Sequence, residues 1–176
     1  MALKIYLDCD GVLGDWVTQA NYWLGQAKDT PWAEYEGSGI DWDKLNDAMS
    51  FVAFWKDMEV LPGAKKLFGN LKKLGDVKIC TRPYPSPNCL YGRAQWLQEH
   101  FNVKISDTIY MHDKWELAKP GTLLIDDNLE NCDLFVQHGG QSILFPTTYN
   151  TKIVPENQIE NVLNQALAIK RKLENA

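Results

Sequence analysis

The run Leu3-Lys4-Ile5-Tyr6-Leu7 places apolar residues at 3, 5 and 7, the period-two pattern of a β-strand, and Gly11 marks the turn that leaves it. From Leu61-Pro62-Gly63 onward the periods alternate. A helix is predicted over 63–74, ending at Gly75; strands over 77–80, 105–111, 122–125 and 141–145; and helices over 90–101 and 129–137. The Pro-rich piece 83–87 must be a loop. A last helix over 156–173 sets Ile159, Val162, Leu163, Ala166, Ile169 and Leu173 on one face, which suits packing against a sheet. Strands alternating with helices imply an α/β fold: a Rossmann-like parallel sheet of about five strands flanked by helices, with right-handed crossovers.

Residues 16–60 break this rhythm. Stretches 16–26 and 42–55 read as helical, while 29–31 and 36–39 are turn-like. The segment holds nine of the twenty aromatic residues, enough for a small core of its own. The expected organisation is a core domain of residues 1–15 and 61–176, with residues 16–60 inserted after the first strand as a helical cap. Neither an internal repeat nor a low-complexity tract is present.

Composition narrows the partners. With 176 residues, 45% hydrophobic and 23% charged, the chain is expected to fold as one soluble domain with an insert. A net charge of −5 and a pI near 5.2 argue against a long nucleic acid as partner, which needs a basic stripe, but leave room for small anions in a basic pocket. Cys9, Cys80, Cys89 and Cys132 lack metal-binding spacing and are expected as reduced thiols. The first strand begins too early for a signal peptide, and no apolar run spans a bilayer, so no membrane partner and a cytoplasmic location are expected.

The candidate chemistry lies at strand ends. Asp8 and Asp10 follow the first strand, Thr81 and Arg82 the second, Asp126 and Asp127 the fourth. Parallel strands point their carboxyl ends to one edge, where open α/β sheets bind ligands. Carboxylates this close repel one another unless a cation or shared proton intervenes, and a divalent metal is the economical solution. Taken singly, Asp8-Cys9-Asp10 is compatible with a plain turn and Asp126-Asp127 with a helix N-cap; together with Thr81 in register they point to a site. Of two candidate lysines, Lys119 precedes the strand ending at Asp126, and seven residues at ~3.3 Å each put it up to ~20 Å from the carboxyl edge. Lys114 emerges at that edge.

This set resembles the haloacid dehalogenase superfamily of phosphohydrolases and, more narrowly, the 5'(3')-deoxyribonucleotidases of cytosolic and mitochondrial type. The similarity is carried by DCDGVLGDW, FWKDMEVLPGA, KICTRP, YGRAQWLQEHF and MHDKWELAKPGTLLIDD, in that order. The resemblance implies an Mg²⁺-dependent phosphomonoesterase acting on deoxyribonucleoside monophosphates. Asp8 would be the nucleophile that forms an aspartyl-phosphate, and Asp10 the acid and then the base. Mg²⁺ would be held by Asp8, the backbone carbonyl of Asp10, and Asp127 with help from Asp126. Thr81, Arg93 and Lys114 would bind phosphate. Arg82 is open between phosphate, sugar and bracing an acidic neighbour. The family commonly carries Lys at the place of Arg93 and Thr-Ser-Pro at that of Thr81-Arg82-Pro83.

The cap would select the substrate. By resemblance Trp16, Phe54 and Trp55 enclose a nucleobase, whereas Trp23, Trp32 and Trp42 are expected in the cap's own core. A cap of this size favours a mononucleotide over a polymer. His112 is expected on the surface. The resembling enzymes are often dimers, which leaves a homodimer open. The alternatives are a phosphatase for another small ester, such as a sugar phosphate, and a catalytically idle nucleotide-binding protein.

Overall fold

The computed structural model describes residues 3–32, 39–151 and 153–175. Its centre is a five-stranded, all-parallel sheet in the order β3-β2-β1-β4-β5. The strands are β1 (Lys4–Leu7), β2 (Asp76–Thr81), β3 (Thr108–Tyr110), β4 (Thr122–Asp126) and β5 (Gln141–Leu144). Helices α1 (Trp16–Leu24), α2 (Trp42–Met49) and α3 (Val52–Lys56) lie between β1 and β2, followed by α4 (Ala64–Leu74). The remaining helices are α5 (Pro87–Phe101), α6 (Leu129–Gln137) and α7 (Gln158–Glu174).

Alternation along β1 sorts its side chains to two faces. Leu3, Ile5 and Leu7 join Leu67 and Leu71 of α4, Trp96 and Leu97 of α5 and Val162 and Ala166 of α7 in the main core. Tyr6 turns the other way, to Leu124 and Phe135 under α6. A separate cluster gathers Ala20, Leu45, Met49, Phe54 and Trp55, and Cys89 of α5 reaches into it. All four cysteines are free and buried. Among the described residues, no helix is long and apolar enough to cross a membrane.

Two elements differ from the sequence pattern. The stretch 42–55 is two helices, broken at Ser50-Phe51 without Gly or Pro. The Ser50 hydroxyl and the Trp55 indole N–H donate to the carbonyls of Asp47 (2.6 Å) and Met49 (2.8 Å), and Asn88 of α5 donates to the Ser50 carbonyl at 2.9 Å. Tertiary bonds thus outweigh helix propensity. The strand expected over 105–111 begins as a 3-10 turn at Ile105–Asp107, where Lys78 pairs with Asp107 at 2.5 Å. Most of the turn expected over 36–39 lies outside the described residues.

Candidate active site

Register builds the site. Leu7 pairs with Ile79 on one side and Ile125 on the other, so the residues that follow β1 emerge beside the ends of β2 and β4. The Asp8 N–H donates to the Ile125 carbonyl at 2.9 Å, which sets Asp8 next to Asp126. Lys114 begins a 3-10 turn beyond β3 and lies almost fully buried between them, 2.9 Å from Asp8 Oδ1 and 2.6 Å from Asp126 Oδ2. Lys119 is exposed near the start of β4, with its N–H on Thr122 Oγ1. It is at the opposite end of the sheet.

Oxygen atoms of Asp8, Asp126 and Asp127 lie within 4.8 Å of one another. Asp126 is the most occupied: besides Lys114, it accepts from the Asn128 N–H (2.9 Å) and the Asn131 amide (3.2 Å). The N-cap of α6 is Asn128, whose side chain accepts from the Asn131 N–H at 3.0 Å. The two aspartates are therefore free of the capping task. An all-oxygen donor set with two partly free carboxylates suits a hard divalent cation.

The charges are poised. Burial, with Asp126, Asp127 and Asp10 adding repulsion, holds the Asp8 carboxyl well above its ordinary range despite Lys114. Burial and Asp126 push Asp127 up to about 7, against the Tyr149 hydrogen bond. Burial disfavours the Lys114 ammonium, but Asp8 and Asp126 outweigh it and raise its pKa. A cation beside Asp8 and Asp127 would relieve this crowding.

Asp10 has a different environment. Its Oδ2 accepts from the fully buried Arg93, while its Oδ1 is buried without a partner among the described residues. Burial raises the Asp10 pKa and Arg93 opposes the rise. Arg93 also donates to the Arg82 carbonyl at 2.9 Å and lies 4.4 Å from the centre of the Trp55 ring. Thr81 is buried at the end of β2, and its hydroxyl has no partner among the described residues. Arg82 is exposed and contacts His112, which is also beside Asp113.

The crevice over these groups encloses about 210 Å³ and is lined by Asp8, Asp10, Asp127, Lys114 and Arg82 on the core side. Trp16, Trp32 and Tyr149 line it too, and the same three border an adjoining cleft of about 490 Å³. Phe54 and Trp55 do not line it. They are 0% and 2% exposed inside the cluster with Ala20, Leu45 and Met49, with the Trp55 N–H spent on Met49. Arg93 likewise lies beneath the crevice, fully buried against Asp10, and not in its lining. Trp32 is buried in the cluster of Phe54 and Trp55, as expected, and also borders the crevice, with its ring 4.9 Å edge-on to Trp16. Asp10 likewise stands apart from the acidic cluster at its side chain, which is turned to Arg93.

Sequence reasoning missed Tyr149, whose hydroxyl donates to Asp127 Oδ2, and Asn131. Asn131 lies one helical turn past the acidic pair and was open to discovery by that spacing. Tyr149 carries no motif.

The sheet order and the residues at its carboxyl edge define a haloacid dehalogenase-like hydrolase fold. A haloacid dehalogenase-like family hydrolase from Xanthomonas campestris superposes with a TM-score of 0.62 at 11% identity, covering 99% of this chain and 94% of that one. The YfnB hydrolase of Bacillus subtilis, solved bound to magnesium, gives 0.55 at 14% identity over 93% and 99% of the two chains. More narrowly, residues 2–173 match the model of the family described as 5' nucleotidase, deoxy (pyrimidine), cytosolic type C protein, and the chain belongs to that family. A curated "Putative 5'(3')-deoxyribonucleotidase" of Staphylococcus epidermidis is 25% identical over 116 residues, 66% of this chain and 61% of that protein. The match thus spans under two thirds of the relative's length.

Proposed function

We propose that the protein is a divalent-cation-dependent phosphomonoesterase that hydrolyses deoxyribonucleoside monophosphates. The observation that carries the reading is Asp8, held at the sheet edge by Lys114, with oxygens of Asp126 and Asp127 beside it. Family membership and the name of the staphylococcal relative support the nucleotidase class.

Both described contacts of the Asp8 carboxylate, from Lys114 and the Cys9 N–H at 2.7 Å, fall on Oδ1. Oδ2 is the oxygen offered to phosphorus. Attack forms a bond from Oδ2 to phosphorus and releases the ester oxygen, which takes a proton from Asp10. Burial keeps a proton on Asp10 more readily than on an exposed aspartate, while Arg93 fixes its orientation. Asp10 then accepts a proton from the water that hydrolyses the aspartyl-phosphate. Lys114, Arg82 and the Thr81 hydroxyl, unpartnered among the described residues, provide donors for phosphate oxygens. Mg²⁺ held by Asp8, Asp127 and the Asp10 carbonyl, with Asp126 in support, would neutralise the charge shared by carboxylates and substrate. YfnB, of similar fold, was solved with this ion.

The cleft beside the crevice, walled by Trp16 and Trp32, is suited to a nucleobase. The test is phosphate release from deoxynucleoside, ribonucleoside and sugar monophosphates, with and without Mg²⁺. Deoxynucleotides should be hydrolysed fastest and only with the ion; faster turnover of sugar phosphates would refute the substrate assignment.

A further inference from the structure

Tyr149 belongs to a loop that grips Asp127 at two points. Its hydroxyl donates to Asp127 Oδ2, and the amide of the next residue, Asn150, donates to the Asp127 carbonyl at 2.6 Å and to the Phe145 carbonyl at 2.8 Å. Asn150 Oδ1 in turn accepts from the Thr147 N–H at 2.8 Å, so the loop is closed on itself before it touches Asp127. The fit is tight on the other side. A Cβ at Gly11 would overlap both Asp127 Oδ2 and the Tyr149 hydroxyl, and Gly11 has φ +72°, where a side chain is strained. The glycine of the Asp8–Gly11 motif is therefore shaped around this tyrosine as well as around the turn.

Tyr149 also borders both cavities. Its hydroxyl meets Asp127 at the 210 Å³ crevice, and the residue forms part of the wall of the 490 Å³ cleft together with Trp16 and Trp32. Tyr149 thus both hydrogen-bonds a carboxylate of the acidic cluster and walls the larger cleft. We propose that Tyr149 is a positioning and specificity residue, whose hydroxyl orients Asp127 for the cation and whose ring packs against the nucleoside of the substrate. This rests on the phosphomonoesterase reading above. The two ends make separable demands. The hydroxyl serves every substrate alike, because the cation and phosphate are common to all; the ring serves only substrates with a group large enough to enter the cleft.

Two variants separate them. Tyr149→Phe removes the hydroxyl alone, and Tyr149→Ala removes the ring too. Each is measured with a deoxynucleoside monophosphate and with methyl phosphate, and Mg²⁺ affinity is read independently from the intrinsic fluorescence of the tryptophans beside the site. Tyr149→Phe should weaken Mg²⁺ binding about tenfold, as expected for a hydrogen bond to a charged group, with the nucleotide KM at saturating Mg²⁺ unchanged. Tyr149→Ala should add a nucleotide KM increase of about tenfold and none for methyl phosphate. Unaltered Mg²⁺ affinity in Tyr149→Phe, or an equal KM change for both substrates in Tyr149→Ala, overturns the proposal. Folding of each variant is checked by its melting temperature. A wild-type enzyme that hydrolyses neither ester would instead defeat the underlying phosphatase reading.

Discussion

Arg93 is a heavily committed buried charge. It is 0% exposed, pairs with Asp10, donates to the Arg82 carbonyl and lies over Trp55, so one side chain joins α5, the strand-end loops and α3. Arg93→Met keeps much of its volume and removes its charge. The Asp10 side chain then loses its counterion while only 27% exposed. Breaking a buried pair from one side costs about 3–5 kcal/mol, and this partial exposure favours the lower end. At roughly 2–4 °C per kcal/mol for a chain of this size, the melting temperature should fall by about 10 °C. The loss should also depend on pH. Arg93 lowers the Asp10 pKa, so its removal raises that pKa further above the unfolded value. A raised carboxyl is stabilising while protonated and loses that contribution as pH rises through its folded pKa, so the deficit must be larger at pH 8 than at pH 5. Asp10→Asn in the same background removes the stranded charge and should recover a large part of the loss. Thermal denaturation of wild type, single and double variants at both pH values decides it. A deficit below about 1 kcal/mol, independent of pH and unrelieved in the double variant, would refute the reasoning.

Gly11→Ala should lower stability by about 1–3 kcal/mol and depress phosphate release, because φ +72° and the overlap with Asp127 act together; unchanged melting and turnover would contradict the packing described. In the metal-free protein Asp127, raised to about 7, binds a proton in the folded state that the unfolded chain has already released, so its contribution to stability should fall as pH rises from about 4 to 7 and level off above. Melting temperatures across that range check the sign, and Mg²⁺ should raise them most at the upper end. Phe54→Ala, at a position 0% exposed in the cap, should cost about 3–5 kcal/mol in a denaturant titration while leaving the KM for a deoxynucleotide near that of wild type. A large KM change with little loss of stability would return Phe54 to the base site.

The sheet was legible because each strand carries a short apolar run and each turn its own breaker, and the parallel order then dictates which strand ends meet. The choice of Lys114 over Lys119 followed from strand length together with the position of the lysine in the resembling nucleotidases, and in the structure Lys114 touches Asp8, whereas Lys119 lies at the start of β4. The aromatics were harder. Phe54, Trp55 and Trp32 are chemically alike in sequence, and spacing shows which residues share a face but not whether that face meets a cavity or another helix. All three are buried in one cluster, and only Trp32 also borders the crevice. Arg93 matched a phosphate-binding position by the family resemblance, yet the chain folds it inward, where Asp10 and Trp55 both offer it partners. Tyr149 was invisible: it is 22 residues from Asp127 in an irregular loop, and only the tertiary fold joins them.

In the proposed reaction Asp8 is the nucleophile toward phosphorus. Acid quenching during turnover of a deoxynucleoside monophosphate, followed by mass spectrometry of the peptide containing Asp8, tests this directly. The wild-type enzyme should carry a phosphoryl group on Asp8, and Asp8→Asn should carry none and release no phosphate although it melts as a folded protein. Phosphate release at the wild-type rate by folded Asp8→Asn would contradict it.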